Sequence, residues 1–128
     1  MIDDERVALI RQVYEVVGRG DMDEAGRLLA RTEWHECAGM PYGGVFHGAH
    51  DIFRKVIGRL IVDIDDFSAQ PDEIMPAGED RVLALGHYRG RGANGELDAC
   101  FAHVWTVHDG EVVKFVQYAD THQYRSVL

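Results

Sequence analysis

The sequence predicts an α+β protein in which three N-terminal helices pack on a strongly curved antiparallel sheet, forming a cone with an internal cavity. Apolar residues recur at helical spacing in the first half of the chain, whereas almost everything after Ile61 alternates as strands do. Two long strands joined by a tight turn at residues 108–110 complete the pattern. With 128 residues, we expect one domain over residues 1–128, large enough for a substantial core.

The first helix is predicted from apolar residues at helical spacing between Val7 and Val17. Asp3 and Asp4 precede them, where the helix dipole favours carboxylates. The glycines at positions 18 and 20 are typical of a helix end, so we expect this helix to stop there.

A short helix, a strand and a loop precede the third predicted helix. Asp21 is a suitable N-cap for the short helix. Residues 32–38 alternate like a strand, and residues 39–44 are rich in glycine and proline, as loops are. The third helix is predicted over roughly residues 50–60, because its apolar side chains form one stripe: Ile52, Phe53, Val56, Ile57 and Leu60.

Strands are predicted for the second half: one long irregular segment over residues 61–75, a strand over 82–88, and the final hairpin, whose second strand runs from Glu111 to Thr121. Side chains alternate along a strand, so one face of the hairpin's first strand collects six residues: Leu97, Ala99, Phe101, His103, Trp105 and Val107. His103 is the one titratable group on this apolar face. It is either a core histidine bonded to a carbonyl or a proton carrier that faces the cavity.

Composition limits the possible partners and the compartment. A net charge of −9 argues against nucleic acid and against anionic membranes, since both require a basic surface. Neither a signal peptide nor a run of transmembrane length is visible, so we expect a cytoplasmic protein. Cys37 and Cys100 are then expected to be reduced, unlinked and mostly buried.

Short motifs along nearly the whole chain resemble the nuclear-transport-factor-2-like superfamily, and within it the SnoaL-like polyketide cyclases and ketosteroid-isomerase relatives. The matching features are Tyr14 six residues before Gly20-Asp21, Trp34-His35-Glu36, Pro41-Tyr42-Gly43-Gly44, Phe46-His47-Gly48, Ala102-His103-Val104-Trp105 and Gln117-Tyr118-Ala119-Asp120-Thr121. The resemblance implies the cone-shaped fold, but it leaves the reaction open, because this fold serves isomerases, cyclases, dehydratases and non-catalytic proteins.

The resemblance also assigns candidate catalytic residues. His103 takes the position where ketosteroid isomerases keep a protonated aspartate that binds an oxyanion. Their general base corresponds, with a one-residue gap, to Glu36, whereas their oxyanion tyrosine falls on Val13, next to Tyr14. The cyclases use an aspartate near the end of the last strand, and the matching residue is Asp120.

Strand phase leaves two of these roles open. Asp120 reaches the cavity only if its strand bulges or ends just before it, and otherwise it is a solvent-exposed or turn-stabilising residue. Glu36 is either an edge-strand carboxylate or a base whose pKa is raised by burial beside Trp34. The remaining residues expected to line a ligand site are Tyr14, Trp34, Tyr88, Phe101, Trp105, Phe115 and Gln117.

These residues favour a cofactor-independent enzyme that isomerises, cyclises or dehydrates a small apolar carbonyl compound. Asp120 or Glu36 would be its base, and His103 with Gln117 would hold the developing enolate oxygen. A non-catalytic ligand-binding protein or a dimeric association protein of the same fold are the alternatives. No metal is expected, because the His47 and His50 pair has no third ligand nearby in sequence. The outer face of the sheet is expected to be apolar, since it carries Val104, Val112, Val116 and Tyr118. A monomer rarely exposes such a face, so it predicts a homodimer.

Overall fold

The computed structural model describes the backbone from Ile2 to Leu128 and the side chains from Glu5 onward. The expected contribution of the Asp3 and Asp4 side chains to the first helix therefore lies outside the described residues. Helix α1 spans Ile2–Gly18 and helix α2 spans Met22–Leu28. Asp21 caps α2 as predicted, because its carboxylate accepts a hydrogen bond from the Glu24 N–H at 3.1 Å.

The third predicted helix is longer than its apolar stripe indicated. It consists of α3 (Gly48–Ile52), a π-helical turn (Phe53–Ile57) and α4 (Gly58–Asp63), which follow one another without a break. A π-turn contains one extra residue, which rotates the apolar stripe relative to a regular α-helix. Four of the five predicted stripe positions are buried, Ile52, Val56, Ile57 and Leu60, and Phe53 is half-buried against the core.

Six strands form one mixed sheet in the order β2-β1-β6-β5-β4-β3. Their bounds are β1 Glu33–Glu36, β2 Gly44–His47, β3 Asp65–Ala77, β4 Arg81–Gly92, β5 Gly95–His108 and β6 Glu111–Ala119. Strand β2 was not predicted. The prediction of a wholly antiparallel sheet is wrong for one pair, because β1 runs parallel to β6. The chain between them is long enough to make that parallel return.

Irregular pairing of β3 with β4 helps this sheet to curve around the helices. The register shifts between Asp65 and Ser68, and again between Pro71 and Glu73. Such bulges bend and twist a strand. Near the second shift, β4 carries Gly86, where an added Cβ would clash with the carbonyl oxygen of Gln70. Glycine is thus required for the two backbones to approach this closely.

The inward face of β5 is the predicted one. All six of its alternating residues are at most 5% exposed: Leu97, Ala99, Phe101, His103, Trp105 and Val107. On β6 the alternation is interrupted, since Thr106 pairs with Lys114 but Val107 pairs with Val112, which leaves Val113 as an extra residue. Val112 therefore points into the core, and its predicted place on the outer face is wrong.

The C-terminus departs from the predicted strand. Strand β6 ends at Ala119 instead of Thr121, and helix α5 follows over Thr121–Ser126.

Cys37 and Cys100 are unlinked, as predicted, but Cys100 is exposed because it lies on the outer face of β5. Within residues 2–128, none of the helices is both long and apolar enough to span a membrane.

Candidate functional site

A cavity of about 270 Å³ lies between the helices and the concave face of the sheet. Its walls include eight residues predicted from the sequence: Tyr14, Trp34, Glu36, Tyr88, His103, Trp105, Phe115 and Gln117. Phe101 is buried but does not line the cavity; its ring stacks on the His103 imidazole at a centroid distance of 3.9 Å. The volume is just below the usual range for sites that hold drug-sized ligands.

His103 is hydrogen-bonded at both ring nitrogens. Its Nδ1 lies 2.5 Å from the Tyr14 hydroxyl, and its Nε2 lies 2.6 Å from the Tyr88 hydroxyl. The side chain is only 3% exposed, and burial lowers the pKa of His103 well below its ordinary value. The imidazole is therefore neutral, and both of its nitrogens are occupied by tyrosine hydroxyls.

Each of these tyrosine hydroxyls also makes a second hydrogen bond, in which it is the acceptor and the donor is fixed. The Trp105 indole Nε1–H donates to Tyr14 at 3.0 Å, and the Gln117 amide Nε2 donates to Tyr88 at 2.7 Å. The Gln117 amide cannot be turned around, because its Oε1 accepts the Cys37 backbone N–H at 3.0 Å. Burial raises the pKa of Tyr14 and of Tyr88 well above that of an ordinary tyrosine, so both stay protonated.

Glu36 is the ionisable carboxyl in the wall of this cavity. It lies on β1, is 4% exposed, and its Oε1 accepts the Trp34 indole N–H at 2.9 Å. Its Oε2 is buried and has no hydrogen-bond partner. Burial raises the pKa of the Glu36 carboxyl to about 7, although the hydrogen-bonding groups of Trp34 and Gln117 partly offset this effect. A buried carboxyl with a free oxygen can take up or release a proton near neutral pH.

Asp120 does not contribute to the cavity walls. Its strand does end just before it, which was the condition for an inward turn, but the side chain is exposed and instead caps helix α5. Its Oδ1 accepts the Gln123 N–H at 3.1 Å. The sequence left this outcome open, since an aspartate after a strand is equally suited to catalysis and to capping.

Two tyrosines near Glu36 were not identified from the sequence. The Tyr42 hydroxyl donates to Asp63 Oδ2 at 2.6 Å and lies 3.3 Å from the Tyr124 hydroxyl. Burial, the hydrogen bond to Asp63 and the Glu36 charge are among the effects that raise the pKa of Tyr42 to about 12. Tyr42 stands in the Pro41-Tyr42-Gly43-Gly44 motif, so the motif was a usable signal, but nothing in it linked the ring to Glu36.

The rim of the cavity is apolar and partly open to solvent. Met22 from α2 and Ile61 from α4 both line the cavity, and they are 36% and 59% exposed. Phe67 and Ser68 of β3 also belong to the lining. Large apolar side chains on a rim are suited to an apolar ligand entering from this side.

In the described part of the chain, the cavity included, no three His, Cys, Asp or Glu side chains come together as metal ligands would.

The curved sheet wrapped around helices and enclosing a cavity is an α+β fold of the nuclear-transport-factor-2-like type. The family model described as the SnoaL-like domain matches residues 10–115, and the chain belongs to this family. Comparison with curated proteins finds no match.

Solved structures agree with this assignment. A nuclear-transport-factor-2-like protein from Burkholderia thailandensis is 28% identical, with 99% of this chain and 98% of that chain covered and a TM-score of 0.86. One of unknown function from Burkholderia pseudomallei is also 28% identical, with 96% of each chain covered and a TM-score of 0.84. A protein described as a SnoaL-like polyketide cyclase, from Shewanella denitrificans, is 12% identical over 96% of this chain and 95% of that chain, with a TM-score of 0.77, and shares the fold.

Proposed function

We propose that this protein is a cofactor-independent enzyme that removes a proton beside the carbonyl group of a small apolar compound and returns it elsewhere. Isomerisation, aldol cyclisation and dehydration all begin with this step. One observation carries the proposal: the Glu36 carboxyl, with a pKa of about 7 and an unpartnered oxygen, lies in the wall of an otherwise mostly apolar cavity. A binding protein has no evident need for a buried carboxyl kept near its ionisation point.

Glu36 is the proposed general base. As carboxylate, its free Oε2 accepts the proton from the carbon next to the carbonyl, and the electron pair of that C–H bond moves into an enolate. The same carboxyl, now protonated, gives the proton to carbon in an isomerisation, to the new alkoxide oxygen in an aldol cyclisation, or to the departing hydroxyl in a dehydration, which leaves as water. Asp120, the other base considered, is exposed and occupied as a helix cap, which favours Glu36.

The proposed donor to the enolate oxygen is a tyrosine hydroxyl, that of Tyr14 or that of Tyr88. From the sequence, His103 and Gln117 were expected to hold this oxygen directly. Both are 3% exposed, and their polar atoms are engaged by the two tyrosines and the Cys37 N–H. We therefore place the tyrosine hydroxyls in contact with the substrate, with His103 and Gln117 acting through them. A donor aimed at the developing negative charge lowers the barrier to enolate formation.

Aromatic walls support an apolar substrate. Trp34 stacks on Phe115 at a centroid distance of 3.8 Å, and Trp105 lies 4.5 Å from the same Phe115 ring. Such surfaces bind a flat or cyclic carbon skeleton, with the orientation set by the few polar groups.

Exchange of carbon-bound protons tests the proposal at its first step, whichever of the three reactions follows. The protein is incubated in D₂O with 2-tetralone, 1-indanone or acetophenone, and loss of the α-proton signal is followed by NMR. We expect exchange faster than in buffer for at least one ketone, and a rate that rises with pH through about 7 as Glu36 ionises.

Glu36→Gln keeps the shape of the side chain but removes the base, so it should lower the exchange rate at least about 100-fold. Glu15→Gln, which removes one exposed carboxylate from α1, is the matched control and should leave the rate unchanged. Exchange that survives Glu36→Gln would contradict the assigned base. A protein that binds these ketones but exchanges none of them is a ligand-binding protein instead.

A further inference from the structure

The tyrosine–histidine–tyrosine array of Tyr14, His103 and Tyr88 has a fixed number of protons. Each hydroxyl can accept two hydrogen bonds and donate one. Tyr14 already accepts one from the Trp105 indole, which is a donor only, and Tyr88 accepts one from the Gln117 amide. Each tyrosine therefore has one accepting position and one proton left for His103 and for a ligand.

A neutral imidazole supplies one N–H and one accepting nitrogen. His103 is neutral because it is buried among aromatic rings, and both of its ring nitrogens meet hydroxyl groups instead of carboxylates. If the proton is on Nδ1, Tyr14 accepts it and Tyr88 donates to Nε2. If the proton is on Nε2, the two tyrosines exchange roles.

In either arrangement, the tyrosine that accepts from His103 has both accepting positions filled and its own O–H unused. The other tyrosine uses its O–H on the imidazole. The array thus leaves one free tyrosine proton at the cavity, never two and never none.

We propose that His103 is a positioning residue that frees a single tyrosine O–H for the oxygen of a ligand, and that the ligand selects Tyr14 or Tyr88 by setting which ring nitrogen carries the proton. The inference rests on the proposed function only for the kind of ligand. It follows that this end of the cavity takes a hydrogen-bond acceptor, a carbonyl or enolate oxygen. It also follows that either tyrosine can donate the hydrogen bond to the ligand oxygen when the other tyrosine is replaced.

The position of the His103 proton is directly measurable. Two-bond ¹H–¹⁵N correlations of ¹⁵N-histidine-labelled protein distinguish the Nδ1–H form, the Nε2–H form and the imidazolium. The ligand used is 2-tetralone, and tetralin, the same skeleton without the oxygen, is its control. With 2-tetralone bound, Tyr14→Phe should place the proton on Nε2, so that Tyr88 is freed, and Tyr88→Phe should place it on Nδ1.

Binding affinities provide the second measurement. Wild-type protein should bind 2-tetralone at least about tenfold more tightly than tetralin, which is the effect of one well-placed hydrogen bond. Each single variant should keep this preference to within about threefold, because the other tyrosine replaces the lost donor. The double variant should lose it.

Gln117→Leu keeps both tyrosines and serves if a tyrosine variant does not fold. Removing the amide donor leaves an accepting position empty on Tyr88, so the His103 proton should lie on Nε2. The same protonated nitrogen in Tyr14→Phe and Tyr88→Phe, an imidazolium, or no binding of 2-tetralone would overturn the inference. A failure of proton exchange alone would instead overturn the proposed reaction and leave the proton positions as stated.

Discussion

Glu36→Gln should make the protein more stable at alkaline pH, although it removes a side chain from the proposed reaction. The carboxyl is 4% exposed, and its Oε2 has no hydrogen-bond partner, so the negative charge is poorly solvated in the folded state. Glutamine keeps the shape and an oxygen that can accept the Trp34 N–H, without that charge.

The magnitude follows from the shift of the pKa. The Glu36 pKa rises from an ordinary 4.5 to about 7 on folding, because of burial. The folded protein therefore holds more protons than the unfolded chain between these two values, and stability falls as the pH rises through that window. The full effect is about 3 kcal/mol above pH 7, since each pKa unit is worth about 1.4 kcal/mol, and it vanishes below pH 4.5.

Urea unfolding followed by tryptophan fluorescence measures this effect, because Trp34 and Trp105 both line the cavity. At pH 8 the variant should be more stable than wild type by up to about 3 kcal/mol, and near pH 4.5 the two should converge. Glu15→Gln controls for the change in net charge. Parallel stability curves for wild type and Glu36→Gln between pH 4.5 and 8 would refute the burial of an ionisable carboxyl.

Two further predictions concern the helix cap and the outer face of the sheet. Asp120→Ala should lower the free energy of unfolding by about 1 kcal/mol, because the α5 cap is lost, and it should leave the proton-exchange rate unchanged. A loss of exchange without a loss of stability would show that Asp120 acts in the reaction. We also propose a homodimer through the outer sheet face, where Val104 pairs with Val116 and Tyr118 is 59% exposed. Light scattering at micromolar concentration should give twice the mass of the chain, Val104→Glu should weaken the dimer, and a wild-type monomer would contradict the proposal.

Much of the fold could be predicted because its determinants are local. Helical spacing located α1, and alternation on β5 assigned every inward residue from Leu97 to Val107 correctly. The bulge at Val113 could not be foreseen, since an extra residue leaves no composition signal, and it reversed the predicted side of Val112. The parallel pairing of β1 with β6 was missed for a similar reason, because it depends on how distant segments assemble.

Most members of the candidate site could be predicted, with Asp120 and Phe101 as exceptions, but their hydrogen bonds could not. His103 stood out as a polar residue on an apolar strand face, and Glu36 was noted beside Trp34. Their hydrogen bonds join residues far apart in the sequence, such as Tyr14 and His103, which are 89 positions apart. Strand phase gives the direction of a side chain but not its partner, so the sequence could not show that His103 is fully occupied by two tyrosines.

The two polar features of the cavity differ in how well their hydrogen bonds are satisfied. This difference supports separate roles for them, the array as hydrogen-bond donor and Glu36 as base. The array of Tyr14, His103 and Tyr88 satisfies its hydrogen bonds internally and leaves one donor, so its burial carries little penalty. Glu36 keeps an oxygen unpartnered and destabilises the fold as it ionises. If Glu36 is the base, the pH range in which the enzyme is active is the range in which the fold is weakest. A carboxyl retained against that penalty is better explained by chemistry in the cavity than by packing.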